Sequence, residues 1–149
     1  DVEKARALGV PEGPMFSALH SGKPVEVEGK TIHPEVVVGP GRPGRKLVYS
    51  GDTRPTEMVI EMAKGASLLI HESTFAEDER IRAEETCHST AREAASIARD
   101  ASVSQLLLTH ISARYSDNPY GLLKEAQSVF SDTDVARDGQ VIEIPYQDK

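Results

Sequence analysis

Apolar and polar positions follow three different rhythms along the chain, and each rhythm predicts a different kind of element. "VEKARAL", residues 2–8, has helical spacing and stops at "GVPEGP", where Gly9, Pro11, Gly13 and Pro14 break regular structure. "MFSALHSG" reads as one or two further helical turns ending at Gly22, and "PVEVEGKTIHP" alternates Val25 and Val27 with charged residues before a turn at Glu28-Gly29, the pattern of a small hairpin. "GPGRPGRK", residues 39–46, has no apolar period and reads as a stiff basic loop.

From Lys46 the rhythm changes. "KLVYS", "ASLLIHE" and "SQLLLTHI" are short apolar runs of the kind that form strands buried on both faces. Helical segments separate them. "TEMVIEMAKG" offers an apolar face of Met58, Val59, Met62 and Ala63, and "STAREAASIARDA" one of Ala94, Ala95 and Ala98 behind a Ser89 or Thr90 cap, with Glu93 placed to close a capping box on Thr90. A third helix is expected in "YGLLKEAQSVF", and a closing hairpin in "DVARDGQVIEIP" around Asp138-Gly139.

Alternating strands and helices imply an α/β fold with parallel strands whose C-terminal ends share one edge, where ligands of open α/β sheets bind. Those ends carry Asp52, His71 with Glu72, and His110. Locally each has two readings. Asp52 or Thr53 caps the helix that Pro55 helps to start, or Asp52 is a metal ligand. Each histidine is either satisfied by a backbone carbonyl or part of a site, and Glu72 either caps, pairs with an arginine, or belongs to the same site. Their joint placement favours a site, and carboxylate with imidazole suits zinc or a similar divalent ion. Asp52 and His110 are only two ligands where a catalytic zinc takes about three, and none of the five histidines has another close by in sequence to supply the rest.

Composition narrows the class. With 38% hydrophobic and 28% charged residues, 149 residues suit one globular domain, and no run approaches the length of a membrane span. The net charge of -7 opposes non-specific coating of nucleic acid but leaves room for a local basic site. A single cysteine, Cys87, fits a reducing compartment such as the cytoplasm and is expected as a small packed side chain. The opening "DVEKARALGV" has no signal-peptide pattern and no initiating Met, so the chain is expected to be cut out of something longer.

"GVPEGPMFSALHSGKPV", "GPGRPGRKLVYSGDTRP", "LLIHESTF", "CHST" and "LLLTHISARY" occur in that order, and together they resemble the C-terminal half of the ribonuclease Z family, tRNA 3′-processing endonucleases of the metallo-β-lactamase superfamily. The resemblance covers nearly the whole chain. It implies half of an αββα sandwich with two zinc ions at its edge, the remaining ligands coming from an N-terminal H-x-H-x-D-H motif that this chain lacks. By resemblance Asp52 bridges the two metals, His110 is a ligand of one, His88 protonates the leaving oxygen, and Glu72 holds His88 in position. The local reading of His88 is simply a residue preceding a helix.

The substrate implied is precursor tRNA, with contacts from Arg42, Arg45 and Lys46 in the stiff loop, from Arg54, and from Arg114 with Tyr115; ordinary solvated charge is the alternative for each arginine and lysine. Two other functions stand beside this one: another metallo-β-lactamase-fold hydrolase acting on small esters or phosphodiesters, and a non-catalytic α/β module that binds RNA or protein. A sandwich cut in half also predicts exposed apolar surface or pairing into a homodimer.

Overall fold

The register of the short apolar runs decides where their polar ends fall. In the computed structural model, which describes residues 1–39, 44–115 and 117–146, the three runs and a fourth strand beyond them form a parallel sheet in the order β3 (Leu47–Tyr49), β4 (Leu68–Glu72), β5 (Leu106–Thr109) and β6 (Thr133–Val135). Val48 pairs with Leu69, Leu69 with Leu106, and Leu106 with Thr133, so these residues form one row of the sheet. Leu69, Leu106, Leu108 and Val135 are buried in one core with the alanine face of a long helix. Fully burying one leucine side chain contributes about 1.5–3 kcal/mol.

That helix, α6 (Ala91–Asp100), buries Ala94, Ala95 and Ala98 completely, and Thr90 caps it with the expected box: its Oγ1 accepts from Glu93 N–H, and Glu93 Oε2 accepts from Thr90 N–H. Small side chains let a helix lie close to the sheet while the cap satisfies its first amides. Between β3 and β4 runs α4 (Glu57–Ala63), and between β5 and β6 runs α7 (Tyr120–Gln127).

The chain divides into two compact units, Asp1–Pro43 and Gly44–Lys149, where its length alone suggests one. The first has its own small core of Ala5, Val10, Leu19, Val25, Ile32 and Val37. It comprises α1 (Val2–Ala7), α2 (Pro14–His20), the hairpin β1 (Val25–Val27) and β2 (Lys30–Ile32), and α3 (Pro34–Val37). Glu28 and Gly29 both have positive φ, as a two-residue hairpin turn of the right twist requires.

Several expectations need correction. Strand β3 is not buried on both faces: Leu47 and Tyr49 are 52% and 64% exposed while Val48 between them packs on the core, so the strand alternates as a half-covered edge strand does. On α4 the inward residues are Val59, Ile60 and Ala63, and Met58 and Met62 are exposed. The helices α3 and α5 (Arg80–Thr86) carry too little periodic apolar signal to be expected from sequence; α5 buries only Ala83. No closing hairpin forms among the described residues. Asp138-Gly139 does make a turn, but Thr133–Val135 pairs with β5 on its upstream side, and Val141 beyond it is exposed. Cys87 is exposed rather than packed, at the C-terminus of α5. No helix among the described residues is long and apolar enough to cross a membrane.

Candidate active site

The strand ends deliver their side chains through backbone turns that the sequence marks only faintly. After β3 the chain leaves the sheet through Gly51, whose φ of 63° suits glycine, and bends at Asp52. Asp52 caps nothing: the cap of α4 is Thr56, whose side chain accepts from Val59 N–H at 3.4 Å. After β5, His110 adopts φ 53°, a left-handed conformation that costs a non-glycine residue about 1–3 kcal/mol. Cys87, at φ 60°, ends α5 and turns the chain so that His88 N–H donates to Ala83 O at 2.9 Å.

One buried carboxylate ties these turns together. Glu72 accepts Thr53 N–H at 2.9 Å and His88 Nδ1 at 2.7 Å on Oε1. On Oε2 it accepts Thr74 N–H at 3.2 Å, Thr74 Oγ1–H at 2.7 Å and Ser89 N–H at 3.1 Å. Ser89 Oγ–H in turn donates to Thr53 O at 2.6 Å. Burial alone would push the Glu72 carboxyl up; the hydrogen bonds from Thr74, His88, Ser89 and Thr53 outweigh it and hold the carboxyl below its ordinary range, so it is an anion at neutral pH.

Around it the rings are ordered. His88 stacks on His110 with centroids 5.2 Å apart and planes 22° from parallel, and Phe75 packs on His88 in an edge-type contact with centroids 6.2 Å apart. His110 Nδ1 lies 2.8 Å from Thr74 Oγ1, and its Nε2 lies 3.4 Å from Asp52 Oδ2. The pair Asp52–His110 is about half exposed, whereas Glu72 is fully buried.

Glu72, His88 and His110 bring ligand atoms within 4.8 Å of one another. Both oxygens of Glu72 are already engaged, however, with five donors around about four lone-pair sites. Ligation by Glu72 would displace bonds that hold three loops. Asp52 and His110, accessible and facing each other, fit a divalent ion far better by chemistry and by access.

The other sequence candidates divide. His71 is fully buried beside the core, with Nδ1 against Glu72 O at 2.7 Å and no partner for Nε2 among the described residues; desolvation pushes its pKa down, and it is the carbonyl-satisfied histidine of the local reading. Arg42 lies outside the described residues. Arg45 and Lys46 precede β3 and therefore sit at the opposite end of the strands from Asp52. Arg45 is occupied there, donating to Ile144 O at 2.9 Å and stacking 4.3 Å from the Tyr146 ring centroid, and Lys46 Nζ donates to Lys64 O. Both thus lie away from the strand ends that carry Asp52 and His110. Arg54 is exposed beside Asp52. Arg114 donates to Glu79 Oε1 at 2.9 Å and lies 5.9 Å over Phe75, near His88. Tyr115 is half-buried against the core with its hydroxyl accepting from Ala76 N–H, which leaves its ring serving packing rather than base stacking. Thr53 and Ser89 entered the sequence reading only as candidate helix caps, and Thr74 had no role in it. Their signal was adjacency: each lies within two residues of Asp52, Glu72 or His88.

A model of the beta-lactamase superfamily domain matches residues 13–111. Ribonuclease Z of Methanosarcina acetivorans is 53% identical over 97% of this chain and 48% of its own length. That of Haloferax volcanii is 53% identical over 99% of this chain and 47% of its own, and that of Myxococcus xanthus 51% identical over 99% and 49%. The chain therefore spans about half the length of the curated relatives it matches. Among solved structures, the metallo-beta-lactamase fold protein YhfI from Bacillus subtilis superposes with a TM-score of 0.57 at 33% identity, over 63% of this chain and 38% of that one. Human tRNase Z, short form, gives 0.55 at 29% identity, over 77% and 37%. The α/β fold is that of these metallo-beta-lactamase relatives, and the chain belongs to the beta-lactamase superfamily as a homologue of ribonuclease Z along nearly its whole length.

Proposed function

We propose that the chain is the C-terminal half of a zinc-dependent endoribonuclease of the ribonuclease Z type, which removes the 3′ trailer from precursor tRNA. The observation that carries this reading is the buried carboxylate Glu72 holding His88 Nδ1 at 2.7 Å directly beside the exposed Asp52–His110 pair. This juxtaposes a proton donor with a place for a cation, the two things that hydrolysis of a phosphodiester at neutral pH demands.

In this reading Asp52 and His110 would supply part of the ligand set of the metal site. Bound zinc supplies Lewis acidity and an activated water there. Two ligands do not complete a zinc site, so residues outside this chain, of the H-x-H-x-D-H type, supply the others. Water adds to phosphorus, the bond from phosphorus to the tRNA 3′ oxygen breaks, and His88 passes its proton to that oxygen. The products are a tRNA 3′-hydroxyl and a 5′-phosphorylated trailer. Glu72 keeps Nδ1 of His88 protonated and aims the opposite nitrogen outward, which suits an imidazole acting as general acid. Arg54 and Arg114 flank this edge and serve phosphate contact.

The exposed Leu47, Tyr49, Met58 and Met62 support covering by the absent half or by a second copy in a homodimer. The proposed compartment is a reducing one such as the cytoplasm, in keeping with the single free thiol of Cys87. The test is cleavage of a precursor tRNA transcript by the 149-residue chain and by the complete protein. The complete protein is expected to cleave in an EDTA-sensitive manner and the chain alone poorly. Robust EDTA-sensitive cleavage by the chain alone would show that it needs no further ligands.

A further inference from the structure

Thr74 is a feature that the proposed mechanism leaves unused. Its single hydroxyl lies 2.7 Å from Glu72 Oε2, 2.8 Å from His110 Nδ1 and 3.3 Å from His88 Nδ1. A hydroxyl has one proton to give and two lone pairs to receive with. An ionised carboxylate can only accept, so the Thr74 proton goes to Glu72. The hydroxyl then faces both histidines with lone pairs, and each Nδ1 must be the donor. His88 obeys the same demand directly through Glu72 Oε1.

We infer that Thr74 is a positioning residue that fixes His110 in the Nδ1–H tautomer, so that its Nε2 presents a lone pair toward Asp52. Glu72 thereby orders both histidines, His88 by direct contact and His110 through one hydroxyl. The consequence for the edge is electrostatic. Nε2 with its lone pair and Asp52 Oδ2 face each other at 3.4 Å, two electron-rich atoms whose mutual repulsion a cation between them would turn into attraction. The geometry thus builds a cation site out of a carboxylate that never touches the cation. This deepens the reading of Asp52 and His110 as metal ligands and rests on it for the cation, though not for the tautomer.

The tautomer is read without metal, by nitrogen NMR of histidine-labelled chain above the pH at which imidazole titrates, with His110 assigned by its substitution. The Nδ1–H form is expected for His110 in the parent chain. Finding it as Nε2–H, or as an even mixture, overturns the inference. Thr74→Ser keeps the hydroxyl and is expected to keep the tautomer; Thr74→Val keeps the shape, removes the hydroxyl and is expected to release a mixture. Zinc chloride is then titrated into the metal-free complete protein while the His110 signals are followed. Thr74→Val is expected to weaken binding about 10–100-fold and Thr74→Ser less than about threefold. Equal tautomer and equal zinc affinity in Thr74→Val and parent would refute the role. Should Thr74→Val fail to fold, the parent and Thr74→Ser spectra still decide the tautomer. Failure of zinc to bind any version while the tautomer holds would count against the metal reading alone.

Discussion

Replacing Glu72 by Gln tests whether one carboxylate organises the edge. The side chain keeps its shape but exchanges one oxygen for an N–H₂ group that cannot accept. Placed at Oε1, that group faces Thr53 N–H and His88; placed at Oε2, it faces three donors, so the first orientation is the cheaper. Two bonds to a charged acceptor are then lost, each worth about 1.5–3 kcal/mol. Relief from burying a charge offsets part of this. The offset is incomplete because burial fails to raise the Glu72 carboxyl against its hydrogen bonds, and a net loss of about 2–4 kcal/mol follows. The assay is urea unfolding of the parent and Glu72→Gln chains at pH 7. The parent should also lose stability as pH falls through the depressed carboxyl pKa, since the contribution is fully present above the ordinary value of 4.5, and this acid limb should shrink in the variant. A variant too unstable to fold lies in the expected direction. Stability within about 0.5 kcal/mol of the parent would refute the reasoning, because it would mean that the donors around Glu72 are satisfied elsewhere.

Three further outcomes are expected. Asp52→Asn should leave unfolding stability within about 0.5 kcal/mol, because the side chain caps no helix, yet weaken zinc binding; loss of about 1 kcal/mol without any effect on zinc would restore the capping role. Thr90→Ala removes both the acceptor for Glu93 N–H and a donor to Glu77, and should cost about 1–2 kcal/mol in the same assay. His71 has a depressed folded pKa, so the unfolded chain takes up its proton first and stability falls as pH drops below about 6.5; in His71→Gln that part of the slope should vanish from a pH series of unfolding curves.

The sequence showed β4, β5 and α6 well because leucine runs and an alanine stripe behind a Thr-x-x-Glu box are strong local signals. It misjudged β3 and α4 for one shared reason. Leu47, Tyr49, Met58 and Met62 are apolar but exposed, and apolar identity alone does not say whether a covering layer is present in the chain. The helix α5 was invisible because it buries only one alanine. At the site, Asp52, Glu72 and His110 were legible from parallel topology, which sends strand ends to one edge. His88 was not: it follows a helix, and only the left-handed turn at Cys87 and the bond to Glu72 bring it there. The contacts of Arg45 and Tyr115 depend on segments about 100 and about 40 residues away in sequence, beyond any local pattern.

The most direct test of the account is single-turnover cleavage of a precursor tRNA by the complete protein carrying His88→Ala, compared with the parent, in the presence and absence of EDTA. EDTA is expected to abolish parental cleavage, and His88→Ala to lower the rate of the chemical step by about 10²–10⁴-fold while leaving tRNA binding and zinc content unchanged. Cleavage by His88→Ala at the parental rate would contradict the proposed role of His88.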